Sequence, residues 1–257
     1  MSSDTRGKRG SLSRERVLDA ACRLADESGV AKVTMRSVAA ELGVEAMSLY
    51  NHVSNKEDLL DGLADLVAAD IDLVAAGEDA FEQLRSLMLR AHAALASHPW
   101  SARVWITRKA IGPHRSAFLN ALLERLKRAG LGEELVYHTF HTLENFLVGY
   151  SMQAADFPFV AEELGETGRR VLSQVEERGH GHLAEHVRQH LDETFGGHSG
   201  FAFGLDLILE GLAGRVDDVT RHSSIDEHGW QVLTPRDGDE TVVSDTVVNQ
   251  LREEEGV

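Results

Sequence analysis

One stretch constrains this chain more than any other: residues 34–56, TMRSVAAELGVEAMSLYNHVSNK. It reads as two short helices joined by a tight turn at Gly43. Thr34 suits an N-cap, because its hydroxyl can accept a bond from an orphan N–H one turn on. Val38, Ala39 and Leu42 then form one apolar stripe at helical spacing. Gly43 can take a positive φ at the helix end without a Cβ clash. A second helix is expected over about 45–52, with Val44, Met47 or Ser48, and Leu49 available for its inner face. Ala46, Met47, Tyr50, Asn51 and His52 compete for the outer face. Ser54 or Asn55 then caps a longer helix. Two short helices around a glycine turn, the second presenting small, polar and aromatic groups, make a helix-turn-helix.

The rest of the 257 residues reads as helix too. Proline is scarce, at 4, and apolar residues recur at helical spacing, so the fold class is all-α. No run of 18 apolar residues exists, so no membrane span is expected. The polar N-terminus has no apolar core and does not read as a secretory signal, which points to a cytoplasmic setting. The single cysteine, Cys22, sits inside a helical pattern and reads as a small buried hydrophobe.

The net charge of -16 argues at first against DNA, but its distribution does not. Residues 1–56 carry a net charge of +2 and the remainder -18. DNA contact should therefore be confined to the head and weaken with salt. Residues 1–12 form a basic arm in which Arg6, Lys8 and Arg9 either reach phosphates or a minor groove or simply solubilise the terminus. Residues 13–56 form the helix-turn-helix head, with a first helix over 13–28 closing its small core. Residues 57–214 form a larger helical body, entered by a connector helix over about 56–75. Further helices are expected over about 78–97, 113–129, 133–155 and 201–213, with a short apolar piece near 104–106. Residues 161–198 are polar, with one or two amphipathic pieces. The 201–213 helix, FAFGLDLILEGLA, is apolar on more than one face and needs cover on several sides. With the 133–155 helix it is the candidate for a homodimer interface built as a four-helix bundle. Residues 215–257 form an acidic tail. It holds a possible strand or hairpin in GWQVLTPRDGDETVV and a short helical piece capped by Ser244.

The strings SRERVLDAACRLADESG and VTMRSVAAELGVEAMSLYNHVSNKEDLLDGL resemble the TetR family of bacterial transcriptional repressors over residues 13–75. The form GVEAMSLYNHVSNKEDLLD looks closest to the branch that contains the tetracycline repressor. In the body, the short strings HPW, LENFLVGY and FGLDLILEGL look like that branch's C-terminal domain. The resemblance implies a homodimer on a palindromic operator in double-stranded DNA, with the second motif helix of each head in a major groove. It also implies a small-molecule effector whose binding swings the connector helix and releases DNA. Base-contacting roles fall on Arg36, Ala46, Met47, Tyr50 and Asn51, and phosphate-contacting roles on Tyr50, His52 and Lys56. Thr34 and Ser48 complete the DNA-facing set. The residues themselves support these roles unevenly. Arg36 can pair with guanine O6 and N7, whereas Ala46 and Met47 can only meet a thymine methyl or exclude bulk. Lys56 at a helix start suits a phosphate clamp. Tyr50 has packing on the first helix as its alternative, and His52 has capping.

Aromatic and polar residues interleaved through the body supply the candidate effector site: His92, Trp100, Trp105, Phe118, His138, His141, Asn145 and Phe146. His138 and His141 at i, i+3, and His186 and His190 at i, i+4, are spacings that can place two imidazoles on one metal. That supports an alternative, a metal-binding sensor or small metalloenzyme. No HExxH is present, and no metal site or cofactor is assigned. The sequence carries no GxSxG, Walker A, Rossmann glycine pattern or CxxC, so the chain does not read as an enzyme.

Overall fold

Ser13, Thr34 and Asn55 each start a helix by the same chemistry. In each case a side-chain oxygen accepts the N–H three residues on, from Arg16, Ser37 and Asp58. At Thr34 the exchange is reciprocal, because Ser37 Oγ accepts the Thr34 N–H at 2.9 Å. The computed structural model describes residues 11–156, 161–191, 200–225 and 231–233. The basic arm with Arg6, Lys8 and Arg9, the Phe157-Pro158 stop, and the tail around Ser244 lie outside the described residues.

The head comprises α1 (Arg14–Ser28), a 3-10 turn (Val30–Lys32), α2 (Met35–Leu42) and α3 (Ala46–Leu49). The connector α4 (Lys56–Ala69) follows. Val17, Ala21, Val38, Leu49, Leu59 and Leu63 are all fully buried in and around it. Gly62 lets α4 lie directly on α1. A Cβ there would stand 2.5 Å from Leu18 Cδ2.

α4 ends sooner than its apolar pattern suggests, at Ala69 rather than near 75. Asp72 Oδ1 accepts the Val74 N–H, a local turn that competes with helical bonding. Two arginines from other helices then take the freed carbonyls. Arg90 donates to Asp72 O and Val74 O, and Arg125 to Leu73 O.

The body continues with α5 (Ala80–Ala96), α6 (Ser101–Thr107), α7 (Pro113–Arg128) and α8 (Glu133–Ala155). α7 packs against α4, α5 and α8, with Phe118, Leu122 and Leu126 fully buried along it. The polar stretch beyond α8 contains two helices, α9 (Ala161–Glu177) and α10 (Gly181–Leu191). They pack on each other through a turn at Gly179, φ 74°.

α11 runs from Gly200 to His222. It passes the point near Arg215 where the apolar pattern fades, since no glycine or proline interrupts residues 215–222. The chain divides into two compact units, Met1–Gly211 and Leu212–Val257. In the first, Gly200 and Gly204 of α11 make room for α8. A Cβ at either would meet Tyr150 or Phe146 within 2.7 Å. The second holds the end of α11 and an antiparallel pair, β1 (Ser223–Ile225) and β2 (Gln231–Leu233), with Ser223 opposite Leu233. Among the described residues the fold is therefore all-α apart from this short ribbon. Among the described residues no helix is long and apolar enough to cross a membrane.

Candidate DNA interface and effector region

The turn before α3 closes as its glycine requires. Gly43 sits at φ 65°, ψ 37°, in the left-handed region. Its N–H returns to Ala40 O and that of Val44 to Ala39 O. α3 is regular only to Leu49, and the chain then turns through His52 N–H to Leu49 O at 2.8 Å. Leu49 and Val53 are the buried anchors of this segment. Val44 and Met47, both open to an inward reading, face solvent instead, and Met47 is 74% exposed. The α2–α3 corner is packed through Val38, Ala39 and Leu49, which leaves the opposite side of so short a helix without cover.

That side gathers most of the expected DNA-facing residues. Met47, Tyr50 and Asn51 are exposed, and Ala46, Ser48 and His52 are half-buried. Tyr50 does not pack away on α1. Thr34 and Arg36 are exposed at the start of α2, and Lys56 at the start of α4. Among the described residues, neither Arg36 nor Lys56 enters an ion pair, so both guanidinium and ammonium remain available.

Sequence reading missed the group that holds the 52–56 stretch in place. Arg14 donates from Nη1 to His52 O at 3.0 Å and from Nη2 to Asp58 Oδ1 at 2.6 Å. Asp58 Oδ2 in turn accepts the Ser54 N–H. The Arg14 guanidinium holds the Asp58 carboxyl below the usual carboxylate range. One ion pair thus fixes the segment between α3 and Lys56.

α4 carries a second device on its other side. Glu57, Asp61 and Asp65 recur at i, i+4 and i+8, one face of the helix. Arg108, just past α6, pairs with Glu57 and stands 3.9 Å from Asp61. Asp65 Oδ1 accepts the Arg115 backbone N–H at 2.9 Å, and Asp65 Oδ2 meets His114 Nδ1 at 2.9 Å. α7 has only Gly112 at its own N-cap position, so α4 supplies the capping carboxylate.

The expected effector residues divide among four places. Trp105 and Phe118 meet edge-on inside the α6–α7 corner, ring centroids 5.9 Å apart. His92 and Phe146 sit on opposite sides of Phe201, stacked at 4.1 and 5.0 Å. His92 Nδ1 is 3.0 Å from Ser151 Oγ, and burial lowers its pKa. Trp100 belongs to neither group. Its Nε1 donates to Asp26 Oδ1 in α1 at 2.7 Å, and His98 Nδ1 is 2.8 Å from the same oxygen. His138, His141 and Asn145 lie on the exposed face of α8, not on its inner face. The buried positions Val136, Thr139, Leu143 and Leu147 set the phase that turns them outward.

Among the described residues the histidine pairs do not converge with further ligands. The one group of three potential metal ligands among the described residues is Cys22, Asp26 and His98, with ligand atoms within 4.8 Å of one another. Burial, with Asp26 alongside, pushes the Cys22 thiol up to about 12. Asp26 Oδ1 already serves Trp100 and His98. The trio reads as a fastening between α1 and the α5–α6 loop.

A short helix propped outward between two free cations, on an all-helical body, defines a helix-turn-helix regulator. Residues 17–63 match the family described as "Bacterial regulatory proteins, tetR family". Residues 75–216 match "Tetracyclin repressor-like, C-terminal domain". The chain belongs to the TetR family of bacterial regulatory proteins, DNA-binding transcriptional regulators and not enzymes. It is 32% identical over 139 residues to an HTH-type transcriptional regulator of Saccharopolyspora erythraea, covering 54% of this chain and 59% of that one. It is 28% identical over 229 residues to the HTH-type transcriptional repressor DrrR1 of Streptomyces coeruleorubidus, covering 81% and 80%. Among solved structures, a possible TetR family transcriptional regulator from Streptomyces coelicolor A3(2) shares 30% identity over 79% of this chain and all of that one, TM-score 0.67. Two more distant structures share the fold. Streptomyces coelicolor ActR in complex with (S)-DNPA has 22% identity and TM-score 0.65, covering 80% of this chain and all of that one. BioQ with its double-stranded DNA operator has 24% identity and TM-score 0.56, covering 79% and 99%.

Proposed function

We propose that this chain is a homodimeric repressor that binds a palindromic operator and is released by a small molecule held in its body. Residues 13–56 read DNA, and residues 57–214 sense the effector and dimerise. The observation that carries the reading is the uncovered side of α3, with Met47, Tyr50 and Asn51 outward, Leu49 and Val53 anchored, and Arg36 and Lys56 unpaired on its flanks. Arg36 reads a guanine edge and Lys56 holds a phosphate. The fold relatives solved with an operator and with a small molecule support the same two partners.

The dimer surface is the exposed side of α8 and α11. Phe203 and Leu207, at i, i+4 on α11, are 63% and 57% exposed, and Tyr137 on α8 is 62% exposed. Apolar side chains of that size in one stripe favour burial against a second copy. The two α3 helices then stand about one duplex turn apart, ~34 Å.

Selection of bound DNA from a random pool tests the reading. A palindromic consensus is expected. Arg36→Ala should relax preference at one position per half-site, at about 1–3 kcal/mol. Lys56→Ala should weaken all sequences alike and flatten the salt dependence by about one unit of slope. No enrichment, or unchanged affinity in both variants, sinks the assignment. Sedimentation of Leu207→Glu should show a monomer.

A further inference from the structure

Two buried arginines of α7 differ in how their charge is met. Arg125, 5% exposed, donates through both terminal nitrogens to Ala121 O and Leu73 O and so binds α7 to the turn after α4, and only its Nε is left without an acceptor. Arg115, 8% exposed, has no such partners. Its Nε and Nη1 are buried without an acceptor. The nearest carboxylate, Glu144 on α8, stands 3.9 Å from Nη2, beyond hydrogen-bond range. The guanidinium lies over the Trp105 ring, 4.7 Å from its centroid. Trp105 Nε1 is itself a buried donor with no acceptor.

A fold keeps a desolvated cation with unmet donors at a cost that good packing alone does not return. Such a group is met by water or by a ligand that enters. Each edge of this guanidinium, Nε–Nη2 and Nη1–Nη2, retains one unmet N–H. An oxyanion arriving on either edge therefore gains a charge-assisted bond. The Trp105 ring lies under it, and that ring meets Phe118 edge-on, so its surroundings are apolar.

We propose that the body of this regulator selects a carboxylate-bearing, otherwise apolar small molecule, with Arg115 as the group that receives the carboxylate. This inference rests on the effector reading given above and names the effector's class. It also places the ligand on the path to the head. The Arg115 backbone N–H is the group that Asp65 of α4 accepts, so the first turn of α7 and the connector move together.

Two measurements on the full-length protein test it. The first needs no ligand. Arg115→Met keeps the side-chain length and removes the unmet donors, and it should raise Tm by about 2–4 °C. Arg125→Met should lower it. If Arg115→Met lowers Tm as Arg125→Met does, Arg115 is a structural residue and the proposal falls. The second uses benzoate and 1-naphthoate beside their neutral amides, read by thermal shift and tryptophan fluorescence. The acids should bind wild type roughly tenfold or more tightly than the amides. That preference should vanish in Arg115→Met. No binding by either acid, or equal preference in the variant, overturns the proposal. Amides that bind wild type and variant as well as the acids do would leave a small-molecule site in place and remove only its selection for anions.

Discussion

Trp100 Nε1 donates to Asp26 Oδ1 across 2.7 Å, joining the loop between α5 and α6 to the last turn of α1. Trp100 is 6% exposed, and its indole N–H finds in Asp26 a charged acceptor, so this is a strong bond of its kind. His98 Nδ1 shares the same oxygen at 2.8 Å. The DNA-reading head is thus fastened to the body beside the C-terminal end of α4, where His98 Nε2 also stands 3.9 Å from Asp70 Oδ2. A repressor that transmits a signal only through its connector helix would leave α1 free to lag. Here α1 is tied directly to the α5–α6 loop.

Trp100→Phe keeps an aromatic ring but loses the N–H and the rest of the indole, leaving Asp26 with His98 and Cys22. Operator affinity of the ligand-free protein should hold within about twofold, since no DNA-facing residue changes. Global stability should fall by about 2–4 kcal/mol in urea, the hydrogen bond to a charged group plus the cavity left by the smaller ring. The informative readout is the ligand concentration needed to release DNA, which should rise. An unchanged release curve would assign the bond to stability alone.

Cys22 lies beneath this fastening, with its sulfur 3.7 Å from Asp26 Oδ2 and 3.8 Å from His98 Nδ1. Burial and the neighbouring carboxylate push its thiol up to about 12. At pH 8 the thiolate is then on the order of 10³-fold scarcer than for an ordinary cysteine. Native protein should react with iodoacetamide far more slowly than denatured protein at the same pH. Asp26→Asn should speed the reaction, because after burial the Asp26 carboxylate is the largest cause. Alkylation at the denatured rate would show that the sulfur is open to solvent.

How much of this was legible in sequence follows from which interactions are local. The caps at Ser13, Thr34 and Asn55, the glycine at position 43 and the bounds of α7 and α8 depend on neighbours within four residues, and the string shows them. The end of α4 does not. It depends on Arg90 and Arg125 reaching carbonyls from distant helices. Arg115 sits in the string PHRS, which reads as a solvated helix start, and nothing local says that its guanidinium is enclosed by α6 and α8. Trp100 looked like a ligand-facing aromatic because its partner, Asp26, is 74 residues away. The exposed side on which His138 and His141 lie is not legible either, because helix 133–155 has apolar residues all round, which leaves its phase undetermined until its neighbours are known.

His92 gives the body a pH dependence. Burial lowers its pKa below the ordinary 6.5, while the unfolded chain keeps that value. The unfolded state therefore takes up a proton first as pH falls. Stability contributed by the neutral ring is full above about pH 6.5 and declines as pH drops from there toward the folded-state pKa. His92→Gln, which can still bond Ser151, should flatten the stability profile between pH 7 and 5. It should also lose the stack on Phe201. Urea midpoints across that range check both. An identical slope in the variant would assign the acid sensitivity to other groups.

Asp65 makes the last test of how the body speaks to the head. It is the capping acceptor for α7 and the partner of His114, yet it belongs to α4. Gly112 approaches it so closely that a Cβ there would stand 2.3 Å from its carboxylate, so the two helices have no slack at this contact. Asp65→Asn keeps a capping oxygen and should retain the fold and most of the effector response. Asp65→Ala removes the cap at about 1 kcal/mol and leaves the Arg115 N–H unmet. In that variant α4 is still held by Arg108 at Glu57 and Asp61, so operator binding without ligand should persist. What should fail is release: ligand should bind the body with near-normal affinity while DNA stays bound. Ligand affinity by fluorescence and operator release by anisotropy, measured on the same samples, separate the two. Parallel loss of both would mean that Asp65 only holds α7 in place, and normal release in Asp65→Ala would move the signal path to the Arg108 contacts.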